Sequence, residues 1–355
     1  MLAAVKLFRC GLVVLLVSIL ALSSVAWAAP PDAQQPLDFP LPNGHFFKQA
    51  NGLGGVGPTG FPVVNEWFEP PFGPVEFFNT FVNRGGVPQV GYPVGRAFNF
   101  EGFITQPFQK LVFQNQPGRG VFFINIFDIM HNLGFDPFID AFRLVPPQLD
   151  TSPDTGLPFS AVIARHLTFL DGDAAIRARY FADPDPITNF GLPMGFKDYG
   201  PVFVVRCQRA AFQHWRVTAG PNPAGIVQIV NGGDLAKELG IFPNFAVTPI
   251  VPSFNQNIVV FAPSFGATVS SPFTIVGDAR LFEAAGNWEL RDASGAVIAQ
   301  GNFMAAAGAP IYGRFVTQVN FSVPNPQVGV LVVFSRSPAT GAPINQVFIP
   351  LLLSP

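Results

Sequence analysis

The sequence predicts a multidomain, mainly β protein with short helices, in which α+β repeat modules are followed by an immunoglobulin-like β-sandwich. Three observations carry this. Charged residues are only 12% of the 355, about half the usual share, while 40 phenylalanines supply ample core material. With 35 glycines and 37 prolines, the chain is rich in turns and its regular elements are short. Finally, the text repeats itself at two spacings before it changes character near residue 250.

Residues 1–28 read as an export signal. Lys6 and Arg9 precede the apolar run Gly11 to Leu22, and Ala26-Trp27-Ala28 gives the small-x-small pattern cut by signal peptidase. The reading is cleavage, with retention as a membrane anchor the alternative, and no membrane span is expected once cleavage has occurred. Cys10 leaves with the signal, and Cys207 then has no disulfide partner within the chain. Residues 29–40 (APPDAQQPLDFP) make a proline-rich linker.

Phe46 to Val63 (FFKQANGLGGVGPTGFPV) and Phe77 to Val94 (FFNTFVNRGGVPQVGYPV) form a repeat of 31 residues. In each copy the aromatic-rich run suggests a short helix, and the Gly-aromatic-Pro step suggests a turn. Gly102 to Gln114 then reads as a hairpin. A longer repeat overlies this one. Phe190 to Met194 matches Val90 to Val94, Gln208 to Gln213 matches Gln109 to Gln114, and Asp234 to Gly240 matches Asp128 to Gly134, at offsets of 99 to 106. Two related modules are therefore placed at 41–145 and 146–250.

Beyond the joint Thr248 to Phe254, short runs with alternate apolar positions recur, as in Phe315 to Phe321, and Asp292-Ala293-Ser294-Gly295 reads as a hairpin turn. Seven or eight such runs in about 100 residues indicate a sandwich over 251–355, here without the inter-sheet disulfide.

This C-terminal text resembles the immunoglobulin-like domain named for bacterial spore germination proteins (Gmad2). The likeness is carried by Ser271 to Gly277, Phe282-Glu283-Ala284, Arg291 to Gly295 and the closing Val347 to Pro350. It implies a non-catalytic envelope module. The steps Thr59-Gly60-Phe61-Pro62, Val90-Gly91-Tyr92-Pro93 and Phe190-Gly191-Leu192-Pro193 are similar to LGFP-type repeats of cell-wall-associated bacterial proteins. The layout as a whole is similar to uncharacterised exported bacterial proteins. Together these resemblances imply a secreted or envelope-bound protein whose modules attach to a cell-wall glycan or an envelope protein.

The chemistry written in the sequence is sparse. A net charge of −2 gives no reason to expect nucleic acid as a partner. Gly52 to Gly57 fits the G-x-G-x-x-G text, but its surroundings explain it as a repeat turn, and no cofactor is expected. His45, His131, His166 and His214 are scattered, without metal-ligand spacing, and Cys207 lies in a β-type run. The pairs Asp171/Asp173 and Asp183/Asp185 read as turns or caps before calcium ligands. Phe61, Trp67 and Tyr92 are the candidate ligand-binding residues, with Phe98 and Trp215 as further rings. The expectation is no enzyme. The alternatives are a wall hydrolase using Glu66 or Glu69, which flank Trp67-Phe68, and a purely structural surface-layer component.

Overall fold

A computed structural model describes residues 38–48 and 59–355. The expected signal peptide, the expected linker up to residue 37 and the glycine-rich Gly52 to Gly57 lie outside these residues. The end of the expected linker is ordered: β1 (Phe39–Leu41) pairs antiparallel with β2 (Gly44–Lys48), which pairs with β3 (Gly60–Phe68). β4 (Gly73–Glu76) returns along β3, and α1 (Phe77–Asn83) and α2 (Gly86–Val90) follow.

The two copies of the 31-residue repeat thus fold differently, which corrects the expectation of a helix and a turn in each. Phe46 and Phe47 lie in a strand, whereas Phe77 and Phe78 open a helix. Gly60-Phe61-Pro62 runs inside β3, whereas Gly91 is a turn at φ 86°. The cause is burial on both sides of the first copy. Phe46 packs with Val259 and Phe261, while its neighbour Phe47 packs with Phe81 and Phe108. Consecutive residues with opposite partners require a strand.

β5 (Phe98–Phe100), β6 (Phe103–Pro107), β7 (Val112–Gln116) and β8 (Gly120–Phe123) form an antiparallel meander, followed by α3 (Ile126–Asn132) and α4 (Asp136–Arg143). After α5 (Phe159–Leu167), α6 (Ala174–Phe181) and α7 (Pro186–Phe190), the pattern returns. β9 (Pro193–Asp198), β10 (Val202–Cys207), β11 (Ala211–Trp215) and β12 (Val227–Ile229) make a second meander, and α8 (Gly232–Glu238) and α9 (Asn244–Val247) close it.

The two meanders exchange their helices. In α3, the Phe127 N–H donates to the Gln208 carbonyl (3.1 Å), and in α8 the Gly233 N–H donates to the Gln109 carbonyl (2.9 Å). Both cores are consequently shared. One joins Phe108 and Phe113 to Tyr180 and Phe212, and the other joins Phe98 and Phe127 to Leu235 and Phe242. The division at 145/146 separates sequence copies but not cores. A fully buried Arg206 stitches them further, donating to Asp136 (2.6 Å) and to the carbonyls of Pro146 (3.2 Å) and Phe127.

The C-terminal region is a two-sheet sandwich. β13 (Ser253–Phe254), β14 (Ile258–Ala262), β16 (Phe273–Ala279) and β19 (Gly313–Val319) build one sheet. β15 (Thr268–Ser270), β17 (Ala285–Arg291), β18 (Val297–Met304), β20 (Gln327–Arg336) and β21 (Pro343–Ser354) build the other. Ile275 and Phe315 from the first meet Trp288, Leu331 and Ile349 from the second in the core. Between β17 and β18, Asp292 accepts from the Ser294 and Ala296 backbones and Gly295 takes φ 86°, which closes the hairpin.

The first sheet does not stop at β19. β3 joins it in parallel at Gly313↔Trp67, with the Trp67 N–H on the Tyr312 carbonyl (2.9 Å), so β1, β2 and β3 extend the sandwich. Strand β3 is therefore shared by the repeat region and the sandwich.

Candidate ligand-binding junction

Because β3 alternates, its two faces line two different hollows. Pro62, Val64, Glu66 and Phe68 border a half-open cleft of about 430 Å³, whose far wall is Phe261, Val276 and Arg314 of the sandwich. Asn65 and Trp67 border an open groove of about 660 Å³, and Glu66 reaches the edge of both.

The cleft contains a buried ion cluster. Arg314 donates to Glu66 and, through Nε, to Asp278 (2.8 Å), and it lies over the rings of Phe68 and Phe261 at 5.0 and 5.1 Å. The Asn43 amide completes the set by donating to Asp278 (2.9 Å). Loss of water raises the Glu66 carboxyl well above its ordinary range, and the Asp278 charge adds to this while Arg314 opposes it. Glu66 Oε1 has no hydrogen-bond partner. For Arg314, desolvation works against the charge, but the two carboxylates outweigh it and raise its pKa. Arg96 stands on the same cleft wall, over the Phe245 ring at 5.7 Å, and no carboxylate pairs with it among the described residues.

The groove is of another kind. The rings of Trp67, Phe78 and Tyr312 line it together with Asn65, Asn79 and Arg280. The two asparagines hold one another: Asn65 Nδ2 donates to Asn79 Oδ1 (2.8 Å) and the Asn79 N–H to Asn65 Oδ1 (3.1 Å). Tyr312 is fixed by its hydroxyl on the Gln256 carbonyl, beneath the Arg280 guanidinium (5.2 Å). Asn43 Oδ1, buried at its edge, is without a partner.

The structure does not bring the three candidate rings together. Phe61 is fully buried. Tyr92 is partly buried and packs edge-on against Phe47, the cross-strand partner of Phe61, at the margin of the same core. Trp67 alone reaches a groove. Phe98 lines the cleft with Glu66, and Trp215 ends β11. Glu66 and Glu69 both border that cleft, but Glu66 is buried and ion-paired whereas Glu69 is exposed at the mouth.

The other sequence candidates have structural duties. His131, His166 and His214 each contact an aspartate (Asp136 at 2.7 Å, Asp154 at 2.8 Å, Asp173 at 2.8 Å), and His45 packs on Phe47. Asp173 caps α6 and Asp185 caps α7. Cys207 is buried, and desolvation drives its thiol far up, away from thiolate chemistry. Sequence reasoning missed Arg314, Asp278 and Arg96. The only signal was a charge beside Phe315 in an alternating strand, which by itself reads as an outward, solvated residue.

Among known proteins, the family model described as the immunoglobulin-like domain of bacterial spore germination (Gmad2) matches residues 257–342. Among solved structures, the crystal structure of CopC from Methylosinus trichosporium OB3b is similar to this chain at 15% identity, covering 29% of this chain and 94% of that one, with a TM-score of 0.20. No curated protein matches. Among the described residues, no helix is long and apolar enough to cross a membrane.

Proposed function

We propose that this is an exported, non-catalytic protein of the cell envelope that holds a wall glycan in the open groove beside Trp67, with the sandwich as spacer. The observation that carries this reading is the composition of the groove. Two half-buried rings, Trp67 and Phe78, beside paired amides and the Arg280 guanidinium suit a sugar, which offers apolar C–H faces and a rim of hydroxyls. The similarity to LGFP-type repeats and the signal-like residues 1–28 support the location, and the Gmad2 match supports an envelope module. The burial of Glu66 and its pairing with Arg314 speak against the hydrolase, since an acid catalyst must touch the glycosidic oxygen. The share of the cores between both modules favours one binding body over two independent ones.

Retention on purified cell walls tests the proposal. Trp67→Ala should weaken retention about tenfold, equivalent to about 1.4 kcal/mol. Unchanged retention would remove the groove from the account. Lysis of the same walls in a zymogram, lost in Glu66→Gln, would replace the reading with the hydrolase.

A further inference from the structure

We propose that the cleft behind β3 is a second ligand site, shaped for an alkyl or acyl chain bearing one anionic head group, with Arg96 as its counter-ion. Three independent features converge there. The first is shape: a hollow of about 430 Å³ lies within the range of small-molecule sites, and its walls are chiefly apolar side chains from both the repeat region and the sandwich. The second is exposure. Phe245, Met304 and Val316 are 56%, 63% and 63% exposed, yet all three border this one cleft. Large apolar side chains gathered at a single mouth mark a surface that a ligand covers.

The third is charge. The Arg314 guanidinium is already engaged by Asp278 and Glu66 and is not free for a ligand, although Glu66 keeps one unpartnered oxygen, Oε1. Arg96 is partly buried, stacked on Phe245 and unmatched by any described carboxylate. Desolvation disfavours its cation, and the like charge of Arg314 adds to this. An anion placed against it would relieve both. Glu69 also borders the cleft, but at its exposed mouth, where water and salt screen it. The position of Arg96 is prepared in advance. Its N–H donates to the Ala246 carbonyl (2.9 Å), and buried Gln106 ties the preceding Gly95 carbonyl (3.1 Å) to that of Pro62 in β3 (2.7 Å). Carboxylate and phosphate heads share the chemistry that Arg96 recognises.

Calorimetric titration of the full chain with decanoate, decyl phosphate and 1-decanol, each below its aggregation limit, tests this. At least one anion should bind about tenfold more tightly than the alcohol, and whichever anion binds better identifies the head group. Arg96→Gln should abolish the preference while leaving the alcohol's affinity unchanged. Val316→Trp, at a side chain that is mostly exposed and so tolerant of exchange, should block all three. Trp67→Ala should leave all three unaffected, which separates this site from the glycan groove. Equal binding of the alcohol and both anions, a preference that survives Arg96→Gln, or no binding of any probe would overturn the proposal.

Discussion

The two repeats of this chain have opposite fates. Copies 31 residues apart share Phe-Phe, Gly-Gly-Val and Gly-aromatic-Pro-Val, yet the described ends of the first are strand where the second is helix and turn. Copies about 100 residues apart share less text and fold alike. Gly91 and Gly191 take φ of 86° and 77°. The residue after each donates its N–H to a glutamine side chain, Gln109 or Gln208, at 3.1 Å in both cases, and accepts from that glutamine's backbone. In the longer repeat, the residues that define the conformation travel with the text. In the shorter one they do not: Gly60 is extended, and glycine is needed there because a Cβ would overlap the Phe47 carbonyl. The same Gly-x-Pro step records a positive-φ turn at 91 and 191 and a close approach at 60. Local text reproduces a structure when it includes the hydrogen-bond partners, and otherwise long-range packing decides.

The likeness of the two meanders breaks most sharply at Arg206. Its counterpart in the first meander, by the register of the hairpins, is Pro107. Arg206→Ala would leave Asp136 and two carbonyls buried without their donor. We expect a loss of about 3–5 kcal/mol, read as a lowered midpoint in urea denaturation. A loss below about 1 kcal/mol would mean that the shared cores alone hold the halves together.

This contrast also explains what could be read in advance. The sandwich was legible because strand alternation and the Asp292 to Gly295 turn are local signals. So was the duplication, because Gln109 and Gln208 occupy matching places in the text. The exchange of α3 and α8 was not, since nothing near Phe127 or Gly233 announces a partner in the other half. At the junction, Trp67 and Glu66 were singled out as an aromatic-acid cluster, but the cation that claims Glu66 lies 248 residues away. Pairing across that separation depends on β3 joining β19, a contact that neither strand's periodicity encodes. Phe61 was named with Trp67 because composition cannot tell a ring in the core from one in a groove.

Twin substitutions sharpen the comparison. In Gly91→Ala and in Gly191→Ala the new Cβ would fall 2.6 Å from the Cβ of Gln109 or Gln208, on a backbone that disfavours side chains. Each should cost about 1–3 kcal/mol from a positive-φ, extended-ψ backbone that is essentially reserved for glycine, with crowding in addition. The two losses should agree closely if the turns are equivalent, as measured by denaturation of the paired variants. A large difference would show that one turn carries strain the other lacks.

The smallest expected effect concerns the carboxylates that sit at the exchanged helices. Asp128 in α3 accepts from the Gln208 amide (3.0 Å), and Asp234 in α8 meets Gln109 in the same way. Desolvation raises both, Asp234 to about 6, with Lys237 opposing the shift at Asp234 and the Gln208 bond opposing it at Asp128. An unfolded aspartate titrates near 3.9. Between about pH 4 and 6 the native state therefore binds more protons than the unfolded one at position 234, and stability falls as pH rises through that window. Asparagine has no carboxyl to ionise and keeps an oxygen for Gln109. Asp234→Asn should flatten the decline by about 1 kcal/mol, a figure reduced from the full shift because the group is partly solvated. Adding Asp128→Asn should flatten it further, since the second site has the same sign. A decline unchanged in the double variant would show that the two carboxylates already ionise freely in the folded protein, and that the helix exchange is indifferent to their charge.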